Sequence, residues 1–508
     1  MKKSVLPVVI LMAISILFMG TIIGASSEAK DPTNVKTDSP GAQVATVEMV
    51  QVSPANDTGN WRGPGVAEDS KGNRLVILRG PEGTKFYYSY CPKNGTWSAP
   101  AVIYGAQPTL VDYGSSYIEI DSRDNFHCMW ENANGQVYAS FKNGVWTAPA
   151  TIPRIGKYDK TSGMTVDSTD QVVTIDCEIV NTFIKEAYLH RKGKNDATFG
   201  APFNISRDGV TASTQPHLAV DSEDHVWAVW KSDYKIPDID ENLVIYLSEF
   251  NKDNSDAGDW YVVSPNPAWS FLPQVAVNSE DKIMTLFSTS TSGDYLTRYF
   301  DPATQKMSAI IPLNNGLVFF PWHTFFSRMV SHGKDFYAAV MAPGRVLLLY
   351  KFNQTAARWD KVAAVSDRAV EVWSLYSGYD HMLVAWNSIE EPTQVFVSTI
   401  EVDPFSKVRI KSVSNLRVTK FVERSFFKGY TLNTLTWEAN PDNTEKGLVI
   451  TAHRIYRKSS TEDNTKWARI TEVAGTVFKY DDRNIPADSD YVYAVTCVDD
   501  QAHESLVF

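Results

Sequence analysis

Residues 215–230 read QPHLAVDSEDHVWAVW, and this stretch is the unit that the chain repeats. Leu218 and Val220 alternate with other residues before the polar cluster Asp221–Asp224, and a second alternating apolar run follows the cluster and ends at Trp230. Alternating strands on both sides of a turn-forming cluster are typical of a β-hairpin. The stretch therefore predicts two short antiparallel strands.

Weaker copies of this hairpin occur at regular intervals along the chain. They read IEIDSRDNFHCMW from Ile118, MTVDSTDQVVTID from Met164 and VAVNSEDKIMTLF from Val275. The first turn residues of the four copies lie 46, 54 and 57 positions apart: Asp121, Asp167, Asp221 and Asn278. A period of about 50 residues with several short strands in each repeat is typical of β-propeller blades. Seven such repeats fit residues 61–403, so we predict an all-β chain with a seven-bladed β-propeller.

The N-terminal segment has the pattern of a secretory signal. Lys2 and Lys3 precede an apolar run that ends at Ala25, and small residues follow. We therefore expect residues 1–29 to be a signal peptide and the protein to be periplasmic, cell-surface or secreted. The run is long enough to span a bilayer, so an uncleaved membrane anchor is the alternative. Residues 30–60 form a polar linker in this interpretation, although residues 44–52 have the pattern of a strand that would close repeat seven.

The charge balance and the cysteines restrict the function. A net charge of −11 and a pI near 5.4 argue against nucleic acid as a partner. No metal-binding cysteine spacing and no glycine-rich phosphate loop occur, so we expect neither a metal nor a cofactor. Cys128 and Cys177 lie in adjacent repeats, where they either pair or fill apolar core positions.

Two repeats end in a similar turn. Residues 89–97 read SYCPKNGTW and residues 140–146 read SFKNGVW. A serine-containing strand followed by a glycine turn and a tryptophan resembles the Asp-box repeat of the sialidase-like propeller superfamily, although lysine or asparagine stands near the position of the Asp that names the box. The resemblance implies the propeller fold. It does not extend to the sialidase reaction, because no arginine triad for a substrate carboxylate is recognisable.

A second domain is expected after the repeats end. Residues 411–508 contain short alternating strands around Trp437, Tyr456 and Tyr491. This set resembles a fibronectin type III domain, which implies a small β-sandwich with Trp437 and Cys497 in its core.

The candidate site residues follow from propeller geometry. Residues just before each first strand and just after each second strand surround one central mouth. The weak catalytic candidates at these positions are Glu131, Glu178, Asp233, Tyr158 and His323. The ligand-binding candidates are Asn132, Lys231, Trp322, Arg345 and Asn387.

These residues allow three functions. The first expectation is an exported binding or adhesion module that recognises a glycan or an extracellular or envelope protein. The alternative is a carbohydrate-active enzyme: a glycoside hydrolase with two carboxylates from Glu131, Glu178 and Asp233, or a polysaccharide lyase with His323 or Tyr158 as its base. The third is a structural scaffold of the cell envelope.

Overall fold

The structure is a computed structural model. It describes residues 45–54, 59–104, 116–132, 135–181, 184–206, 212–232, 244–254, 258–264, 270–289, 294–313, 328–402, 410–424, 429–445, 448–462, 466–486, 489–500 and 505. The predicted signal peptide lies outside these residues. Among the helices of the described segments, none has the length and apolarity needed to cross a membrane.

Seven antiparallel sheets of four or five strands follow one another along the chain, and each is one propeller blade. The chain begins with strand β1 (Val47–Gln51). Blade one contains β2 (Arg62–Glu68), β3 (Arg74–Arg79), β4 (Phe86–Cys91) and β5 (Ala101–Tyr104). Blade two contains β6 (Tyr117–Ile120), β7 (Phe126–Asn132), β8 (Gly135–Lys142), β9 (Val145–Trp146) and β10 (Ala150–Thr151). Blade three contains β11 (Lys157–Val166), β12 (Val172–Ile179), β13 (Lys185–Lys192) and β14 (Phe203–Asn204).

The remaining blades repeat this order. Blade four contains β15 (Ser213–Val220), β16 (Val226–Ser232), β17 (Val244–Phe250) and β18 (Tyr261–Val262). Blade five contains β19 (Ser270–Val277), β20 (Ile283–Thr289), β21 (Tyr295–Asp301), β22 (Lys306–Met307) and β23 (Ile311–Pro312). Blade six contains β24 (Arg328–His332), β25 (Asp335–Met341), β26 (Leu347–Asn353) and β27 (Arg358–Ala364). Blade seven contains β28 (Val370–Ser377), β29 (His381–Ser388) and β30 (Val395–Glu401).

The blades form a closed ring. The innermost strand of each blade contacts the innermost strand of the next, and β28 of blade seven contacts β2 of blade one. Strand β1 pairs antiparallel with β30 and supplies the fourth strand of blade seven. The closing strand predicted within residues 44–52 is present as Val47–Gln51, so this part of the expected 30–60 linker belongs to the propeller.

The aspartates of the repeated hairpins stabilise their own turns. The Asp221 Oδ1 atom accepts the backbone N–H groups of Glu223 and His225, both at 2.9 Å. A carboxylate that accepts from residues two and four positions ahead fixes a tight turn without any ion. The same pair of bonds is made by Asp69, Asp121, Asp167 and Asn278.

A second set of bonds in these turns joins neighbouring blades. Ser168 in blade three donates its backbone N–H and its hydroxyl to the carboxylate of Asp224 in blade four, at 2.8 and 2.9 Å. The same two bonds join blades two to three and four to five, with Asp170 and Asp281 as acceptors, and a backbone N–H bond to Asp124 joins blades one to two. We call these four connections the turn belt. They lie at the opposite end of the hairpins from the predicted mouth.

The packing between blades explains the Asn-Gly turns. Asn143 and Gly144 have φ values of 49° and 83°, the left-handed conformation that such a pair adopts readily. Trp146 then packs against Tyr88 of blade one, with the ring centroids 5.4 Å apart. All four cysteines are buried and none forms a disulfide, so Cys128 and Cys177 occupy core positions and do not pair.

The C-terminal strands form two three-stranded sheets. One contains β31 (Ser414–Arg424), β32 (Gly429–Glu438) and β35 (Lys479–Pro486); the other contains β33 (Ile450–Ser459), β34 (Ala468–Ala474) and β36 (Tyr491–Asp499). A short α-helix spans Pro441–Glu445. Leu435, Trp437, Ile455 and Val495 share one core, as the sequence predicts for a sandwich. Its assignment as a fibronectin type III domain remains a prediction.

Candidate functional site

The mouth of the propeller is the end where the first strand of each blade begins and the second strand ends. Irregularities in strand pairing cluster there. The register shifts in five first strands close to this end, where the first strand contains more residues than its partner. Such β-bulges redirect side chains and are common beside binding sites. The mouth is therefore lined by residues whose side chains leave the regular alternation.

Prolines mark three of these bulges and are a local signal that the sequence displays. Pro64, Pro216 and Pro273 lie within the shifted segments of blades one, four and five. A proline inside a strand pattern indicates an edge or a bulge, because it cannot donate a ladder hydrogen bond. The positive φ values of Gln215 and Leu272, 56° and 50°, mark the same positions.

Glu131 is the central acid of the mouth. It follows Trp130 at the end of β7 and is only 5% exposed. The Ser162 hydroxyl of blade three donates to its Oε1 atom at 2.6 Å. Burial raises the pKa of Glu131, and the charge of Asp176 adds to this effect, while Ser162, Tyr158 and Arg328 oppose it. A buried carboxyl group with a raised pKa is a candidate for proton transfer.

Tyr158 lies beside Glu131 in a fully buried position. The long bulge of β11 lies between Tyr158 and Ser162. The Ser162 hydroxyl bonds to Glu131, whereas the Tyr158 hydroxyl has no hydrogen-bond partner among the described residues. The guanidinium of Arg154 covers the Tyr158 ring at 5.7 Å from its centroid. Burial and the charges of Glu131 and Asp176 hold the pKa of Tyr158 well above its usual value. A hydroxyl with a raised pKa is suited to donating a proton, whereas the base role considered from the sequence would require it to ionise.

A neutral imidazole and a cation complete the cluster. The Nδ1 atom of His217 accepts the N–H of Val275 at 3.4 Å, which leaves the proton on Nε2. Burial and the charge of Arg328 lower the pKa of His217 to about 3, so it is neutral at physiological pH. Arg328, at the start of β24, lies over the Tyr117 ring at 5.6 Å from its centroid. We call Glu131, Tyr158, His217 and Arg328 the mouth cluster; they come from blades two, three, four and six.

Of these four residues, Glu131 and Tyr158 are among the candidates predicted from the sequence, whereas His217 and Arg328 are not. In the sequence, His217 lies at a mouth position but also alternates with Leu218, which is typical of an ordinary inner-strand residue. Arg328 lies 197 positions beyond Glu131, and only ring closure brings their blades around the same axis. The bulge proline Pro216, next to His217, is the one local signal that the sequence offered.

Other predicted candidates lie at the mouth in supporting roles. Glu178 accepts the backbone N–H groups of Ile155, at 2.8 Å, and Gly156, and so holds the segment that precedes β11. Asn387 donates to the carboxylate of Glu371 at 2.9 Å. These bonds position backbone and side chains around the mouth.

The remaining candidates divide into two groups. Asn132 is buried at the end of β7, the Lys231 ammonium lies 5.0 Å from the centroid of the Phe271 ring, and Arg345 ends a 3-10 turn after β25. Asp233, Trp322 and His323 lie outside the described residues.

Two small surface hollows lie away from the mouth. They open between the turns of blades one to three and are lined by turn residues such as Asp69, Arg123 and Asp124. Their carboxylates already bond to neighbouring turns. We therefore interpret these hollows as grooves of the turn belt.

Comparison with known proteins identifies no sequence family. No protein-family model and no curated protein matches the chain. Among solved structures, a polysaccharide lyase is 6% identical with a TM-score of 0.49, covering 67% of this chain and 90% of the lyase. An α-L-arabinanase from Penicillium chrysogenum with arabinobiose is 12% identical with a TM-score of 0.40, covering 71% and 99%. A protein of unknown function from Dyadobacter fermentans is 10% identical with a TM-score of 0.43, covering 72% and 100%.

Proposed function

We propose that the protein is a carbohydrate-active enzyme that cleaves an acidic glycan at the propeller mouth by elimination. The observation that supports this proposal is the mouth cluster itself. It combines one buried carboxyl group of raised pKa, one protonated phenol, one neutral imidazole and one guanidinium. This set contains a proton acceptor, a proton donor and a binding group for a sugar carboxylate.

Each residue has a role that fits its protonation state. Arg328 binds the carboxylate of a uronic acid unit, and the Nε2–H of His217 donates a hydrogen bond to the same group. Ionised Glu131 removes the proton next to that carboxylate, and Tyr158 donates its proton to the departing glycosidic oxygen. Because Tyr158 adjoins Glu131, the proton returns to the tyrosine after the products leave. The proton count balances without any co-reactant.

Elimination fits the described groups better than hydrolysis. An inverting hydrolase needs a second carboxylate about 6.5–9.5 Å from the first, with a water between them. Glu178, the second described carboxylate of the hydrolase prediction, is already engaged by two backbone N–H groups.

Glycan binding without turnover is the second candidate function. The low exposure of Glu131 and Tyr158, 5% and 7%, favours it, because a substrate must reach both groups. Arg328 and His217 are partly exposed and suffice to bind an acidic sugar.

The test is incubation of the purified protein with uronic acid polysaccharides and with neutral polysaccharides as a control. Elimination creates an unsaturated sugar that absorbs ultraviolet light, whereas hydrolysis creates reducing ends without this absorbance. We expect Glu131→Gln to lower the rate at least about 100-fold, because the amide cannot accept the proton. The wild-type rate should rise with pH through a pKa above the ordinary glutamate value of 4.5.

Glu371→Gln is the matched control. Glu371 is also a mouth carboxylate, but it pairs with Arg62 at 3.6 Å and lies outside the mouth cluster. Its replacement should change the rate only a few-fold. Binding of acidic glycans without any product would contradict the enzyme and favour the binding module.

A further inference from the structure

Three buried side chains of blade three converge on a point outside the mouth cluster. Asp176 and Glu178 alternate on one face of β12, and His190 lies diagonally across on β13. All three side chains are inaccessible to solvent. One donor atom from each lies within 4.8 Å of the other two, and the His190 Nε2 atom is 3.1 Å from Asp176 Oδ1.

The hydrogen bonds of this group are incomplete. Asp176 Oδ2, Glu178 Oε1 and His190 Nδ1 have no hydrogen-bond partner among the described residues. Buried carboxylate oxygens without partners are costly, because burial removes water and nothing replaces it. The single imidazole bonds to Asp176 and leaves the Oε1 atom of Glu178 without a hydrogen-bond donor.

We propose that Asp176, Glu178 and His190 bind a divalent cation. Two ligands of a tetrahedral zinc ion lie about 3.3–3.6 Å apart, given bonds of about 2.0–2.2 Å. The donor atoms of this cluster lie within 4.8 Å of one another, and His190 Nε2 and Asp176 Oδ1 are 3.1 Å apart, so small side-chain movements would bring all three residues to one ion. An imidazole among two carboxylates favours a first-row transition metal over calcium, which prefers oxygen ligands alone.

The sequence shows no sign of this site because its spacing belongs to a sheet. Asp176 and Glu178 are two positions apart, and His190 reaches them through the pairing of β12 with β13. Glu178 has two functions in this proposal. Its Oε2 atom accepts the N–H groups of Ile155 and Gly156, and its Oε1 atom remains for the metal.

The test is zinc binding by the full chain after treatment with a chelator, measured by elemental analysis and calorimetry. We expect one equivalent of zinc and a higher unfolding temperature when zinc is added, because a ligand of the native state stabilises it. His190→Gln and Asp176→Asn should each weaken zinc binding at least about 10-fold. These measurements involve no glycan, so they are independent of the proposed activity.

His225→Gln provides a matched control. Asp221, His225 and Glu249 also bring two carboxylates to one imidazole, but His225 and Glu249 are partly exposed. We expect His225→Gln to bind zinc as the wild type does. If His225→Gln lost zinc binding while His190→Gln kept it, the proposal would be overturned. If the blade-three variants fail to fold, anomalous diffraction from wild-type crystals decides: an ion between the three residues supports the site, and zinc elsewhere or absent overturns it.

Discussion

His381 is a single residue that connects pH to the closure of the ring. Its Nε2 atom lies 3.0 Å from the Glu68 carboxylate of blade one, and Arg74 and Asp380 are its other charged neighbours. Burial alone would lower the pKa of His381, but Glu68 and Asp380 outweigh burial and raise it. Burial alone would raise the pKa of Glu68, but His381 and Arg74 outweigh burial and lower it.

The signs of these two shifts define a pH window. The histidine contributes stability below its ordinary pKa of 6.5, and this is lost as the pH rises through its higher folded value. Glu68 contributes stability above pH 4.5, its ordinary pKa, and this contribution is lost as the pH falls through the lower pKa that it has in the folded protein. We expect His381→Asn to cost about 1–2 kcal/mol near pH 6 and less near pH 9, measured by urea unfolding. The same substitution at the partly exposed His225, His225→Asn, serves as control. If His381→Asn lowered the unfolding free energy equally at both pH values, the assignment of His381 would be contradicted.

At the scale of the element, the hairpin turns of the turn belt also connect neighbouring blades. The first Asp of each turn is engaged locally, so the fourth residue is available for the serine of the preceding blade. Asp224 has a φ of 68°, which aspartate tolerates better than most residues. The same four-residue turn therefore stabilises its own hairpin and binds the turn of the preceding blade.

Replacing Asp224 tests this connection. Asp224→Gly keeps the positive φ accessible but removes the acceptor for Ser168, and we expect a loss of about 1–3 kcal/mol in unfolding free energy. Glu223→Gly adds the same chain flexibility in the same turn without touching blade three. A similar loss in both variants would show that the interblade bonds contribute little.

At the scale of the whole molecule, β1 closes the ring. Its side chains Val47 and Met49 pack against the core of blade seven. A chain that begins at residue 53 should unfold on the order of several degrees lower than one that begins at residue 44, as measured by calorimetry. Equal midpoints would show that pairing of β1 with β30 adds no stability.

The fold was more predictable than the site, for a physical reason. Blade number, the hairpins and the closing strand depend on local alternation and on turns such as Asp221–Asp224, which a sequence displays directly. The mouth cluster depends on bulges and on ring closure, which bring Arg328 towards Glu131. Neither the tautomer of His217 nor the high pKa of Tyr158 has any signature in the order of residues, because both arise from burial and from neighbours in other blades.

The closing strand also dictates an order of events when the chain folds. Gln51 donates to Gln394 at 2.9 Å, although the two residues are 343 positions apart. Contacts this distant form late, since they wait for most of the polypeptide to be synthesised. Strand β1 is synthesised before the strands of the seven blades, and we expect it to pair with β30 after the other blades have formed. As long as β1 and β30 are not paired, each presents an unpaired strand edge, and such edges favour aggregation.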